Sequence, residues 1–82
     1  KYENFQLWPE IVGEGLAKIS YPEQILSNKI LVVRVIDAAW IQELAFKKEE
    51  ILEKFRNKCK NIYFEDIRFI SGNPKDFNNK RM

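Results

Sequence analysis

The chain has 82 residues, a formal net charge of +2, 45% hydrophobic and 13% aromatic content, and no histidine. Two domains of this total length would each be too small to bury a core, and a single one buries only about 60% of the surface its unfolded chain exposes. The apolar content argues against intrinsic disorder, no apolar run nears the ~20 residues of a membrane span, and no signal-peptide pattern opens the chain.

The single cysteine, Cys59, rules out an internal disulfide and fits a reducing compartment, so a cytoplasmic location is expected. A chain that opens on Lys1 rather than methionine is expected to be a fragment or a processed piece. Charge is unevenly spread. Residues 1–28 carry two lysines against four glutamates, residues 29–60 eight basic against five acidic side chains, and residues 61–82 four against three. The basic excess therefore falls in the middle of the chain, which permits phosphate contact without requiring it.

Trp8, Ile11, Val12, Leu16 and Ile19 share one helical stripe, so a first helix is expected from Leu7 to Ile19, with Pro9 in its first turn, where a missing N–H is harmless. Gly13 and Gly15 inside it each cost up to ~1 kcal/mol relative to alanine, and close packing on a sheet is the expected reason for them. The "GEG" triplet lacks the preceding strand and third glycine of a dinucleotide loop.

Tyr21 to Leu26 reads as a strand, and Pro22 places it at a sheet edge or demotes its beginning. "SNK" at 27–29 reads as a hairpin turn, Asn28 tolerating the left-handed conformation such turns use. Ile30 to Ile36 is the clearest strand. Leu31, Val33 and Val35 point one way, and Ile30, Val32, Arg34 and Ile36 the other. Asp37 then caps a helix expected to run from Ala38 to Lys58. Its apolar face takes Ile41, Leu44, Ala45, Ile51, Leu52, Phe55 and Cys59, with Lys48 in the middle of that face extending its stem towards water. Glu43 with Lys47, and Glu50 with Lys54, are i,i+4 pairs in the favourable order. Residues 61–72 form a third strand, and 73–82 a polar tail.

The order α-β-β-α-β predicts an α+β fold with a three-stranded mixed sheet and helices on one face. Residues 1–72 form the single domain. Without histidine, zinc sites built on imidazole and Ser-His or Cys-His nucleophiles are unavailable. The adjacent carboxylates Glu49–Glu50 and Glu65–Asp66 point apart, so neither makes an acid/base dyad, and no phosphate-binding loop is present. No cofactor and no enzymatic activity are expected.

What remains is surface. Lys47, Lys54 and Lys58 form a basic stripe headed by Trp40, whose ring is expected to pack partly on the first helix. Phe46 lies round towards the polar side. Arg34 and Arg68 are expected on the sheet face that the helices leave open, beside Ile30, Val32, Ile36 and Ile70, an apolar exposure that suggests a partner or coverage by a missing segment or the tail.

The segments "LWPEIVGEGLAKISYP", "KILVVRVIDAAWIQEL", "ILEKF" and "IRFISG", in this order, resemble the DciA-like domain over about four-fifths of the chain. The matching features are Trp8 with Val12-Gly13, then Ala17 and Ser20 with Pro22. Leu31-Val33-Val35, Trp40 with Gln42-Glu43-Leu44, and Ile67-Arg68-Phe69 with Gly72 complete the set.

The resemblance implies a bacterial cytoplasmic protein with a K-homology-like fold. It also implies a part in DNA replication, where such proteins bind the replicative helicase DnaB and nucleic acid and assist helicase loading. The GxxG loop that clamps a nucleic-acid backbone in K-homology domains is absent, so binding of single-stranded or structured DNA is expected to be weak, salt-dependent and carried by dispersed cations. The candidates are Lys29, Arg34, Lys47, Lys54, Lys58 and Arg68 for nucleic acid, and Trp40 and Phe46 for a protein partner. A stand-alone nucleic-acid module and a pure protein-interaction domain are the alternatives. No membrane or small-molecule partner is expected.

Overall fold

A computed structural model of the chain describes residues 6–27, 29–59 and 64–72. The elements are α1 (Trp8–Val12), α2 (Glu14–Ala17), β1 (Ser20–Ile25), β2 (Ile30–Val35), α3 (Ala38–Phe46), α4 (Lys48–Lys58) and β3 (Asp66–Ser71). The sheet runs β1-β2-β3, with β2 antiparallel to β1 and parallel to β3. This is the expected α+β arrangement with its three-stranded mixed sheet. Of the expected third strand, residues 61–63 and the tail from 73 lie outside the described residues.

Alternation along β2 sets the core. Leu31, Val33 and Val35 are fully buried against Trp8, Ile11, Leu44, Ile51, Leu52, Phe55, Cys59, Phe64 and Ile67. Phe55 sits at the centre, its ring 6.2 Å from that of Trp8 and in an edge-on contact at 5.1 Å with that of Phe64. Such tilted pairs are each worth about 0.5–1.5 kcal/mol beyond area burial. Cys59 is a free thiol inside this cluster, the small core residue its helical position suggests. The one buried polar side chain among the described residues, Ser20, accepts from the Trp8 indole N–H at 3.0 Å and donates to the Leu16 carbonyl at 2.6 Å. That chain fastens α1 and the end of α2 to the first residue of β1.

Both expected long helices are broken. The first divides at Gly13, whose φ of 93° and ψ of 154° are open only to glycine. A Cβ built at Gly13 or Gly15 would meet nothing within 4 Å. Close packing is therefore not the reason for either glycine. Gly13 supplies a backbone bend, and Gly15 is a helical residue facing solvent.

The second divides at Lys47, which leaves helical geometry (φ −99°, ψ 7°) and donates its N–H to the Leu44 carbonyl, a tighter i→i−3 closure. The deflection leaves Ala45 exposed rather than in the core. It also removes the geometry for the expected Glu43–Lys47 pair, which does not form. Glu50–Lys54, inside α4, does form at 3.5 Å.

The hairpin turn closes with the Lys29 N–H donating to the Leu26 carbonyl at 2.9 Å, and Lys29 carries the left-handed φ of 67°. The loop is thus a three-residue connection with its left-handed residue last. Asn28, expected to favour that conformation, lies outside the described residues. Asp37 caps α3 as its position predicts, its carboxylate accepting from the Trp40 N–H at 3.1 Å.

Candidate functional site

β1 carries a bulge between Pro22 and Gln24, and Glu23 in that bulge meets Arg34 of β2. The guanidinium donates to both carboxylate oxygens, at 3.0 and 3.1 Å, and its remaining nitrogen donates to the Ser71 carbonyl on β3 at 2.9 Å. A bidentate Arg–carboxylate pair with a third acceptor uses the planar donor fork fully. Arg34 thus lies across all three strands of the sheet. The face opposite the helices is also less open than the alternation suggests, since Val32 is buried and Ile30, Ile36 and Ile70 are half-buried. Arg68 projects from β3 and is exposed. Its charge helps to lower the Asp66 pKa.

The cations of the second half are distributed along α4. Lys48, expected to reach water, instead reaches Asp66 at 2.9 Å, the carboxylate at the start of β3. Lys48 is the main cause holding the Asp66 carboxyl below its ordinary value, followed by the hydrogen bond from the Ile67 N–H. Lys58 lies 3.5 Å from Glu10 on α1, a contact between elements too distant in sequence for local spacing to reveal. Lys54 and Lys58 are both exposed and loosely paired, so exchange of either partner for a phosphate would cost little. Lys47 occupies the corner between α3 and α4 and is exposed, with no ion pair among the described residues. Lys29 is exposed at the hairpin tip, away from the α4 stripe in sequence, and its carbonyl accepts from the Glu65 N–H at 2.9 Å.

The two aromatic candidates differ. Trp40 is 40% exposed and outside the core cluster, while Phe46 is 88% exposed. The first helix packs on α4, whereas α3 packs on β2 and β3. The expected packing of Trp40 on the first helix is therefore not a principal contact of α3. Of the nine residues of α3, only Leu44 is fully buried, and Ala38, Ala39, Gln42, Glu43 and Ala45 are exposed alongside the two aromatics.

Among the described residues no group of three or more metal-ligating side chains is placed to hold an ion, and no helix is long and apolar enough to cross a membrane. Fold and surface together define a small α+β module with a mixed sheet, a charged helical flank on α4 and a largely apolar exposed helix, α3. The chain belongs to the DciA family, whose model, described as "Dna[CI] antecedent, DciA", matches residues 2–69. No curated protein matches it. Membership of this family of helicase-loader antecedents gives the chain a DnaB-associated role in DNA replication.

Proposed function

We propose that the chain is a cytoplasmic, non-catalytic adaptor that binds the replicative helicase DnaB and nucleic acid and assists loading of the helicase. The observation that carries this reading is the family match over residues 2–69. The exposed Lys47, Lys54 and Lys58 support its nucleic-acid half, and the exposed Phe46, with Trp40 six residues before it on the same helix, supports its protein half.

In this reading Lys47, Lys54 and Lys58 contact phosphate, joined by Lys29 and Arg68. Arg34 contributes chiefly by holding the sheet, because its donors are engaged by Glu23 and Ser71. The α-β-β-α-β order, with each helical segment divided in two, suits a K-homology-like domain.

The test is titration of labelled single- and double-stranded DNA at two salt concentrations, with and without DnaB. The adaptor reading expects weak DNA binding that falls steeply with salt, and a stable complex with DnaB. A chain that neither co-elutes with DnaB nor alters its loading is not such an adaptor. The exposure of Phe46 favours, as a second reading, a domain that binds protein alone. A stable complex with DnaB and no detectable DNA binding at either salt concentration would select it.

A further inference from the structure

The two edges of the three-stranded sheet are built differently. The β1 edge carries Pro22 and a register shift between Pro22 and Gln24. Proline and a bulge are devices that close an edge to further strands. The β3 edge has neither. Asp66 to Ser71 keeps unbroken register with Ile30 to Val35, and its sequence, DIRFIS, holds no proline or glycine.

Strand alternation determines what that edge presents. The Gly72 N–H turns inward to the Val35 carbonyl at 2.6 Å, so the backbone groups of Ile67, Phe69 and Ser71 turn outward. The Asp66 carboxylate accepts from the Ile67 N–H at 2.8 Å, and Arg34 donates to the Ser71 carbonyl at 2.9 Å. Between these two, among the described residues, no hydrogen bond from outside the sheet reaches the N–H or carbonyl of Phe69. Arg68 beside it is exposed and has no ion pair among the described residues, while Asp66 is engaged by Lys48 at 2.9 Å.

We propose that the outer edge of β3 accepts an extended segment of a partner protein as a fourth strand, with an acidic residue of that segment opposite Arg68. The inference goes beyond the adaptor reading and does not depend on it, and it gives Arg68 a carboxylate partner in place of phosphate. Hydrogen-bonding chemistry selects the occupant. Main-chain donors and acceptors at strand spacing are matched by another extended backbone, and by neither a helix nor a phosphodiester. Charge then selects against a second copy of the chain. An in-register parallel pair of β3 strands sets Arg68 opposite Arg68. The fully overlapped antiparallel pair, centred on Phe69, sets the two arginines diagonally on one face, and like charges disfavour both. Six residues of strand span about 20 Å. That length alone does not bury the roughly 800 Å² per partner of a stable association, and it suits a short segment held reversibly.

The experiment follows the backbone amides of the whole chain by NMR during titration with a synthetic hexapeptide alternating valine and threonine around one central glutamate. Its fully N-methylated form, which loses every main-chain donor, and its glutamate-to-lysine form are the controls. Shifts are expected at Ile67, Phe69 and Ser71, with at least about tenfold weaker binding of the N-methylated peptide. Arg68→Glu, an exposed change, should reverse the preference between the glutamate and lysine peptides by about threefold or more. Ser71→Pro keeps the carbonyl that Arg34 uses and gives β3 the device that β1 carries, so it should abolish binding. An unchanged melting temperature of Arg68→Glu separates lost contact from lost fold.

Absence of shifts along β3 at millimolar peptide overturns the proposal, as does equal binding of the N-methylated form. A Phe69 amide already protected from hydrogen exchange in the peptide-free chain shows the edge filled from within and overturns it too. Self-association that Arg68→Glu or Ser71→Pro removes assigns the edge to a second copy. β3 amides that answer a single-stranded oligonucleotide and not the peptide assign it to nucleic acid. Either result also overturns the proposal, and none of these outcomes decides whether the chain binds DnaB.

Discussion

Lys48 Nζ lies 2.9 Å from Asp66 Oδ1 and joins the first residue of α4 to the first residue of β3. The Asp66 carboxyl is held below its ordinary 3.8, first by Lys48 and then by the Ile67 N–H. Because the folded state has the lower value, its stabilising contribution is complete above the unfolded-state value and disappears as pH falls through the folded one. Urea denaturation should show Asp66→Asn less stable than the parent chain near neutral pH by about 0.5 kcal/mol, a small figure because both partners are partly exposed. The two curves should converge below about pH 4. Parallel curves throughout would show that the ion pair contributes nothing.

Ser20→Ala removes the acceptor of the Trp8 indole N–H and the donor to the Leu16 carbonyl. Leaving buried polar groups unpaired costs about 1–3 kcal/mol, which thermal or chemical unfolding would read directly. Ser20→Thr keeps the hydroxyl, so a milder loss there would separate the hydrogen bonds from the packing.

The two glycines of the first helical segment should respond with opposite signs. Gly13→Ala forces an L side chain into a backbone region reserved for glycine and is expected to cost about 1–3 kcal/mol. Gly15→Ala places a methyl in open solvent on a helical residue and is expected to stabilise by about 0.5–1 kcal/mol. Equal destabilisation by both would contradict the bend at Gly13.

Arg34→Ala should act on the sheet. It breaks the contacts to Glu23 and Ser71 and, for a pair about a quarter exposed on each side, should lower stability by about 1 kcal/mol. The salt dependence of DNA binding should change little. By contrast, reversing Lys54 and Lys58 should reduce the slope of log affinity against log salt, with little change in melting.

These contrasts follow the division between what the sequence made legible and what it hid. Period-two alternation along Ile30–Val35 picks out the core-facing Leu31, Val33 and Val35, although Val32 on the other face is buried as well, and Asp37 announces its cap, because both signals are local. Pro22 placed β1 at an edge for the same reason. The breaks at Gly13 and Lys47 escaped because apolar periodicity persists across a deflection: Leu44 and Ile51 keep helical spacing although the axis turns between them. Unbroken helical spacing puts Ala45 in the core, whereas it is exposed. The partners of Arg34, Lys48 and Lys58 are Glu23, Asp66 and Glu10, residues that only the sheet and the packing of α1 on α4 bring near. For that reason local spacing reads these basic residues as surface cations when they are cross-links between elements. Phe46, by contrast, is visibly out of phase with the core on helical spacing, and it is 88% exposed.

The strand order has a consequence for how the molecule comes into being. β1 and β2 are joined by a tight turn and can pair as soon as both exist. β3 must align in parallel, Ile30 beside Asp66, only after α3 and α4 have been laid down. Phe64 and Ile67, which complete the core, arrive with it. A nascent chain leaving the ribosome therefore carries the apolar face of β2 incompletely covered until nearly the whole domain has been made. Folding is gated by delivery of the last strand, and a chain halted before residue 64 would offer that face to chaperones or to aggregation.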